Sequence, residues 1–96
     1  MHKILIVEDM ESVVNLLRSL LEREGFEVTT AQDGLEALEA VRREKPDLML
    51  LDLILPGIDG LEVCRRIRAD PVTAHLPIII LSGKEEETDK VIGLEI

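Results

Sequence analysis

Three carboxylates and one hydroxyl carry the chemistry open to this chain. Glu8 and Asp9 directly follow the apolar run I-L-I-V. Asp52 lies within residues 46–60, P-D-L-M-L-L-D-L-I-L-P-G-I-D-G, and Ser82 with Gly83 follows I-I-I-L. Each group therefore stands at the end of an apolar run of strand length. Asp52 has no evident structural task. Pro56 and Gly57 follow it, so no helix begins there for it to cap, and Asp59 is the acid placed to cap the next one. Acids gathered in one crevice repel, by about 4 kcal/mol for a pair 4 Å apart at an effective dielectric near 20, and so need a cation or a shared proton. Oxygen-only ligands at an open site suit Mg²⁺. The Ser82 hydroxyl and the Gly83 backbone N–H are donors suited to phosphoryl oxygens, which makes the set a carboxylate nucleophile beside a metal. Taken singly, Asp9 also fits a helix cap and Ser82 a turn. The specific signal is the conjunction at three separate strand ends.

The elements that must position these groups can be read in order. Residues 3–7 form a short apolar strand. Residues 10–24 follow at helical spacing, with Val13, Leu16, Leu17, Leu20 and Leu21 recurring, and Gly25 ends the helix as a left-handed cap. Residues 26–31 are a more polar strand, expected at an edge. Asp33 and Glu36 begin a second helix in capping-box spacing, with Leu35, Leu38 and Val41 as its apolar face and Pro46 as its stop. The strand 47–51 leads to Asp52. Its uniformly apolar character predicts burial on both faces, as in a parallel sheet. Asp59 and Glu62 repeat the cap signature for a helix running to about Arg68 and burying Leu61, Cys64 and Ile67. The strand 78–81 follows, then an acidic helix start from Glu85.

Alternation of strands and helices predicts an α/β domain, a doubly wound parallel sheet with right-handed crossovers. With the second strand outside the first, the order becomes 2-1-3-4, and Glu8, Asp9 and Asp52 meet at its switch point. The run I-I-I-L is typical of an interior strand, yet no segment suited to pair beyond it follows. The pattern predicts one domain over residues 1–96, lacking a fifth strand and helix at its C-terminal end. Its exposed fourth strand is expected to pair with another copy.

Composition excludes several classes. The 96 residues include one aromatic residue, Phe26, and one cysteine, Cys64, so an internal disulfide and a Cys-based zinc site are out. The formal charge of −9 argues against direct nucleic-acid binding, and Arg42-Arg43 and Arg65-Arg66-Arg68 read as solvated helix faces. His2 and His75 have no partner at ligand spacing. The chain shows no signal peptide and no stretch of membrane-spanning length, so a cytoplasmic location is expected.

The motif set I-L-I-V-E-D with Glu8 and Asp9, L-D-L-I-L-P-G-I-D-G around Asp52, and I-I-I-L-S-G with Ser82 resembles the receiver domain of bacterial two-component response regulators, over essentially the whole chain. The resemblance implies a flavodoxin-like fold in which Asp52 accepts a phosphoryl group from a sensor histidine kinase or a phosphotransfer protein. It further implies Mg²⁺ held by Glu8, Asp9, Asp52 and the backbone carbonyl of Ile54, a switching contact from Ser82 and Gly83, and control of an output domain. The chain would be a signalling domain and not an enzyme acting on a separate substrate. The family's lysine and switch aromatic on the fifth strand have no counterpart here, and Lys84 does not take the lysine's place.

Two other readings compete. An aspartate-nucleophile phosphatase of the haloacid dehalogenase type needs a second Asp two residues after the nucleophile, where this chain has Ile54. A non-catalytic docking module would have no use for all three acids.

Overall fold

The computed structural model describes residues 2–81 and the two-residue strand Leu94–Glu95. Four strands, β1 (Lys3–Val7), β2 (Glu27–Ala31), β3 (Leu48–Asp52) and β4 (Ile78–Leu81), alternate with three helices, α1 (Glu11–Arg23), α2 (Gly34–Glu44) and α3 (Gly60–Ala69). They pair in parallel in the order 2-1-3-4. β2 therefore forms one edge, as its polar sequence predicts. The expected helix from Glu85, together with Ser82, Gly83 and Lys84, lies outside the described residues.

The helix boundaries follow from local chemistry. Asp33 and Asp59 cap α2 and α3 by accepting from the N–H groups of Glu36 (2.8 Å) and Glu62 (2.9 Å), as the cap spacing predicts. Helix α1 closes at Glu24, and the chain turns through Gly25 at φ 97°. Helix α2 closes differently, on Lys45 in the left-handed region at φ 49°, with Pro46 behind it. A non-glycine residue is costly there, and its N–H is satisfied by the Val41 carbonyl.

The sheet has two faces. Leu5, Val7, Met49, Leu51, Ile78 and Ile80 point toward α2 and α3 and are packed with Ala37, Ala40, Val41, Val63, Cys64 and Ile67. Ile4, Ile6, Leu50 and Leu81 point the other way, against the partly buried Val14, Leu17 and Leu21 of α1. Four leucines expected inside are exposed: Leu16, Leu20, Leu35 and Leu61. Spacing shows that a helix is amphipathic, but the neighbouring elements decide which of two adjacent rows turns inward. On α2 the inward row is Gly34, Ala37, Ala40 and Val41, and on α3 it is Gly60, Val63, Cys64 and Ile67. Gly34 and Gly60 stand where the segment after Asp52 comes within reach, so small residues take the inward row and the neighbouring leucines turn outward.

The outer edge of β4 also departs from expectation. β5 (Leu94–Glu95) pairs antiparallel with it, opposite Ile79 and Ile80, where the sequence predicts an open edge. This is not a parallel fifth strand. A row of free N–H and C=O groups recruits whatever backbone can reach it, and here two residues do.

The opposite ends of the strands are tied by backbone bonds and by side chains bonded to backbone. Lys3 N–H donates to Asp47 Oδ2 (2.8 Å), Asp47 N–H to the Lys3 carbonyl (2.7 Å), and Lys3 Nζ to the Glu44 carbonyl (3.1 Å). Arg68 Nη1 donates to the carbonyls of Ala74 (3.0 Å) and Leu76 (2.7 Å), which holds the segment entering β4 against α3.

Candidate metal centre

β1 ends at Val7, so Glu8 and Asp9 emerge from the middle of the sheet, and Asp52 is the last residue of the adjacent β3. One carboxylate oxygen from each of the three lies within 4.8 Å of the others. At that separation a pair of unit charges repels by about 3.5 kcal/mol at an effective dielectric near 20. The ion pairs of Lys3, Arg42, Arg65 and Arg66 engage other carboxylates, those of Glu27, Glu44, Asp70 and Glu62.

The three acids differ in setting. Glu8 is 5% exposed and Asp52 9% exposed, while Asp9 is open to solvent. Burial pushes the Glu8 carboxyl up from 4.5 to about 7. The Met10 N–H, which donates to Glu8 Oε2 at 3.0 Å, pulls it back, whereas the Asp52 charge, a hydrogen bond to Asp52 and the Asp9 charge push it further up. Asp52 Oδ1 accepts from the Ile54 N–H at 3.2 Å, which fixes the rotation of the carboxylate and brings the Ile54 backbone to the site. The Ile54 side chain itself is exposed.

Met10 is the N-cap of helix α1, and no side chain hydrogen-bonds there as a cap. Capping therefore does not account for Asp9. A recess of about 110 Å³ opens beside Glu8 and Asp9, lined also by Asn15, Arg18, Thr30 and Gln32 but not by Asp52. Three convergent carboxylate oxygens, two of them on buried residues, offer an oxygen-only ligand set of the kind a hard divalent cation takes. Two larger open grooves, one along α2 and α3 and one below the entry to β4, carry no comparable cluster of acids.

Of the residues expected at the site, Glu8, Asp9 and Asp52 are brought together and the Ile54 N–H bonds to Asp52, while Ser82 and Gly83 lie outside the described residues. His2 and His75 are exposed and Cys64 is buried in the core, as expected. Two residues with a structural part in the site were not evident from the sequence. Gly60 and Gly34 pack against the segment that follows Asp52. The repeated Asp-Gly-Leu-Glu signal was visible, and capping explains its Asp and Glu but not its Gly.

Comparison with known proteins places the chain in a family. The chain is 52% identical over 94 residues to the alkaline phosphatase synthesis transcriptional regulatory protein PhoP of Bacillus subtilis, covering 98% of this chain and 38% of that protein. It is similar in structure to the phosphorylated cyanobacterial phytochrome response regulator RcpA, with a TM-score of 0.81 and 37% identity, covering 88% of this chain and 67% of that one. The Mn²⁺-bound form of response regulator Rcp1 gives a TM-score of 0.80 and 31% identity, covering 91% and 69%. This chain thus spans well under half the length of its curated relative PhoP. The family model of the response regulator receiver domain matches residues 4–96, and the chain belongs to that family, the receivers of two-component signalling.

Proposed function

We propose that Asp52 accepts a phosphoryl group from a phosphohistidine on a sensor histidine kinase or phosphotransfer protein, and that the resulting change of state controls an output domain in the cytoplasm. The observation that carries this reading is the convergence of Glu8 and Asp9 on a buried, strand-end Asp52. In the transfer a carboxylate oxygen of Asp52 attacks phosphorus and forms a P–O bond. The P–N bond to the imidazole breaks, and its electron pair stays on the nitrogen, which is then protonated. Mg²⁺, when bound, would neutralise charge on the phosphoryl oxygens, with Glu8, Asp9, Asp52 and the Ile54 carbonyl as its ligands. The Ile54 N–H holds one Asp52 oxygen in place through the reaction. Ser82 and Gly83 are assigned to the phosphoryl oxygens on sequence position alone. The product is a modified aspartate on the domain itself, so the chain acts as a switch and turns over no separate substrate.

The RcpA relative is described as phosphorylated and the Rcp1 relative as Mn²⁺-bound, and both descriptions support this reading. Intact mass after incubation with Mg²⁺ and a small acyl phosphate tests it. Gain of one phosphoryl group by the unmodified chain and none by Asp52→Asn is expected. Equal uptake by both would remove Asp52 as the acceptor.

Association of copies through β4 is a separate proposal. It now requires displacing β5 from Ile79 and Ile80, and a mass independent of concentration would exclude it.

A further inference from the structure

We infer that Gly60 and Gly34 are positioning residues for the metal centre: by lacking a Cβ they let α3 and α2 clamp the segment between Asp52 and Gly60 in one place. The inference rests on the metal reading above and deepens it.

Neither glycine is required by backbone conformation. Among the described residues, the glycines with positive φ are Gly25 and Gly57, at 97° and 76°. Nor does capping require them, since the Asp and Glu of each signature supply the cap, and glycine is the poorest residue short of proline inside a helix. What both positions need is space. A Cβ on Gly60 would stand 2.7 Å from the Asp52 carbonyl oxygen and 2.6 Å from the Leu53 Cα. A Cβ on Gly34 would stand 2.5 Å from the Ile58 carbonyl oxygen and 3.0 Å from both Ile58 Cβ and Val63 Cγ2. The closest obstacles are backbone atoms, which no rotamer change moves aside. The Gly60 N–H also donates to the Leu53 carbonyl at 2.9 Å, so the first turn of α3 is bonded to the peptide next to the acceptor.

Between these two seats Leu53 and Ile58 pack against the core, Leu55 is buried and Gly57 makes the turn, but the Ile54 side chain is 62% exposed and anchors nothing. The Ile54 backbone is therefore placed by its neighbours. Any displacement of the Asp52–Leu53 peptide passes directly to the Asp52 carboxylate and to the Ile54 N–H that holds it. Coupling of this kind is reciprocal: if the seat favours metal binding, metal binding must tighten the seat.

The test compares Mg²⁺ titrations, followed by amide shifts of Asp9 and Ile54, for the unmodified chain, Gly60→Ala, Gly34→Ala and Gly25→Ala. Loss of an outer support to a metal ligand weakens affinity by about tenfold or more. That loss is expected for Gly60→Ala, with a smaller one for Gly34→Ala. Gly25→Ala is strained by its φ but touches nothing within 4 Å, so it should lower the melting temperature and leave Mg²⁺ affinity unchanged. In the unmodified chain, Mg²⁺ should slow amide exchange of Gly60 together with that of Ile54, a readout that needs no variant to fold. Unchanged affinity in both clamp variants, or a Gly60 amide indifferent to Mg²⁺ that slows Ile54, overturns the assignment. If the unmodified chain shows no saturable shift, the metal reading itself fails, and the assignment with it.

Discussion

The two faces of the sheet are built to different standards. Among the described residues, the α2/α3 face closes over a continuous core in which Leu5, Val7, Met49, Leu51 and Val63 are fully enclosed. The α1 face has Ile4, Ile6, Leu50 and Leu81 beneath a helix that buries none of its residues fully, and Leu16 and Leu20 of that helix are exposed. Both faces begin from equally apolar strands. The difference lies in the cover: α2 and α3 pack against each other and share one face, whereas among the described residues α1 alone lies over the other, with partly buried Val14, Leu17 and Leu21. Apolar strands alone do not enclose a face. Two helices packed side by side do, and these are also the helices that seat the segment behind Asp52.

This contrast can be broken by substitution. Ile67→Ala, at a fully buried α2/α3 position, should cost about 3–4 kcal/mol in urea unfolding. The acids at the strand ends belong to neither face and should respond to pH. Glu8 is held at about 7, above its ordinary 4.5, so the folded state binds that proton more tightly than the unfolded chain does. Without metal, stability should therefore fall as pH rises from about 4.5 to about 7, by on the order of 2–3 kcal/mol. Below that window the opposite trend sets in, because Glu62, paired with Arg65 and Arg66 and held at about 2, favours the folded state only while ionised. Glu8→Gln should flatten the slope between pH 4.5 and 7, and melts across pH will show whether it does. Leu17→Ala on the α1 face should cost only about 1–2 kcal/mol, because the side chain is already partly exposed. A loss matching that of Ile67→Ala would mean the two faces are equally tight. Leu16→Ser should change stability by no more than about 0.5 kcal/mol.

Much of this was legible in the sequence. The apolar runs named the strands, the Asp/Glu spacing named the two capped helices, and the strand-end acids named the cluster now proposed as the site, because each signal is local. The inward rows of α2 and α3 were not legible. Leu35 and Leu61 are the stronger hydrophobes, but Gly34, Ala37 and Gly60 occupy the contact because backbone comes within reach there. A close approach is a property of two segments, and neither segment spells it out alone. The pairing of Leu94–Glu95 with β4 was missed for a related reason: a two-residue strand carries no periodicity to read.

The Arg68 tether has a consequence for how the chain tolerates changes in loop length. One guanidinium holds the carbonyls of Ala74 and Leu76, and Thr73 Oγ1 donates to the Ile67 carbonyl at 2.7 Å. The connection between α3 and β4 is thereby measured against the reach of two side chains, and inserted residues would pull β4 out of step with β3. The turn at Gly25, exposed and with open space around it, has no such gauge. Added length is accommodated at exposed turns of that kind, so an insertion after Gly25 should be carried by the fold where the same insertion after Val72 is not.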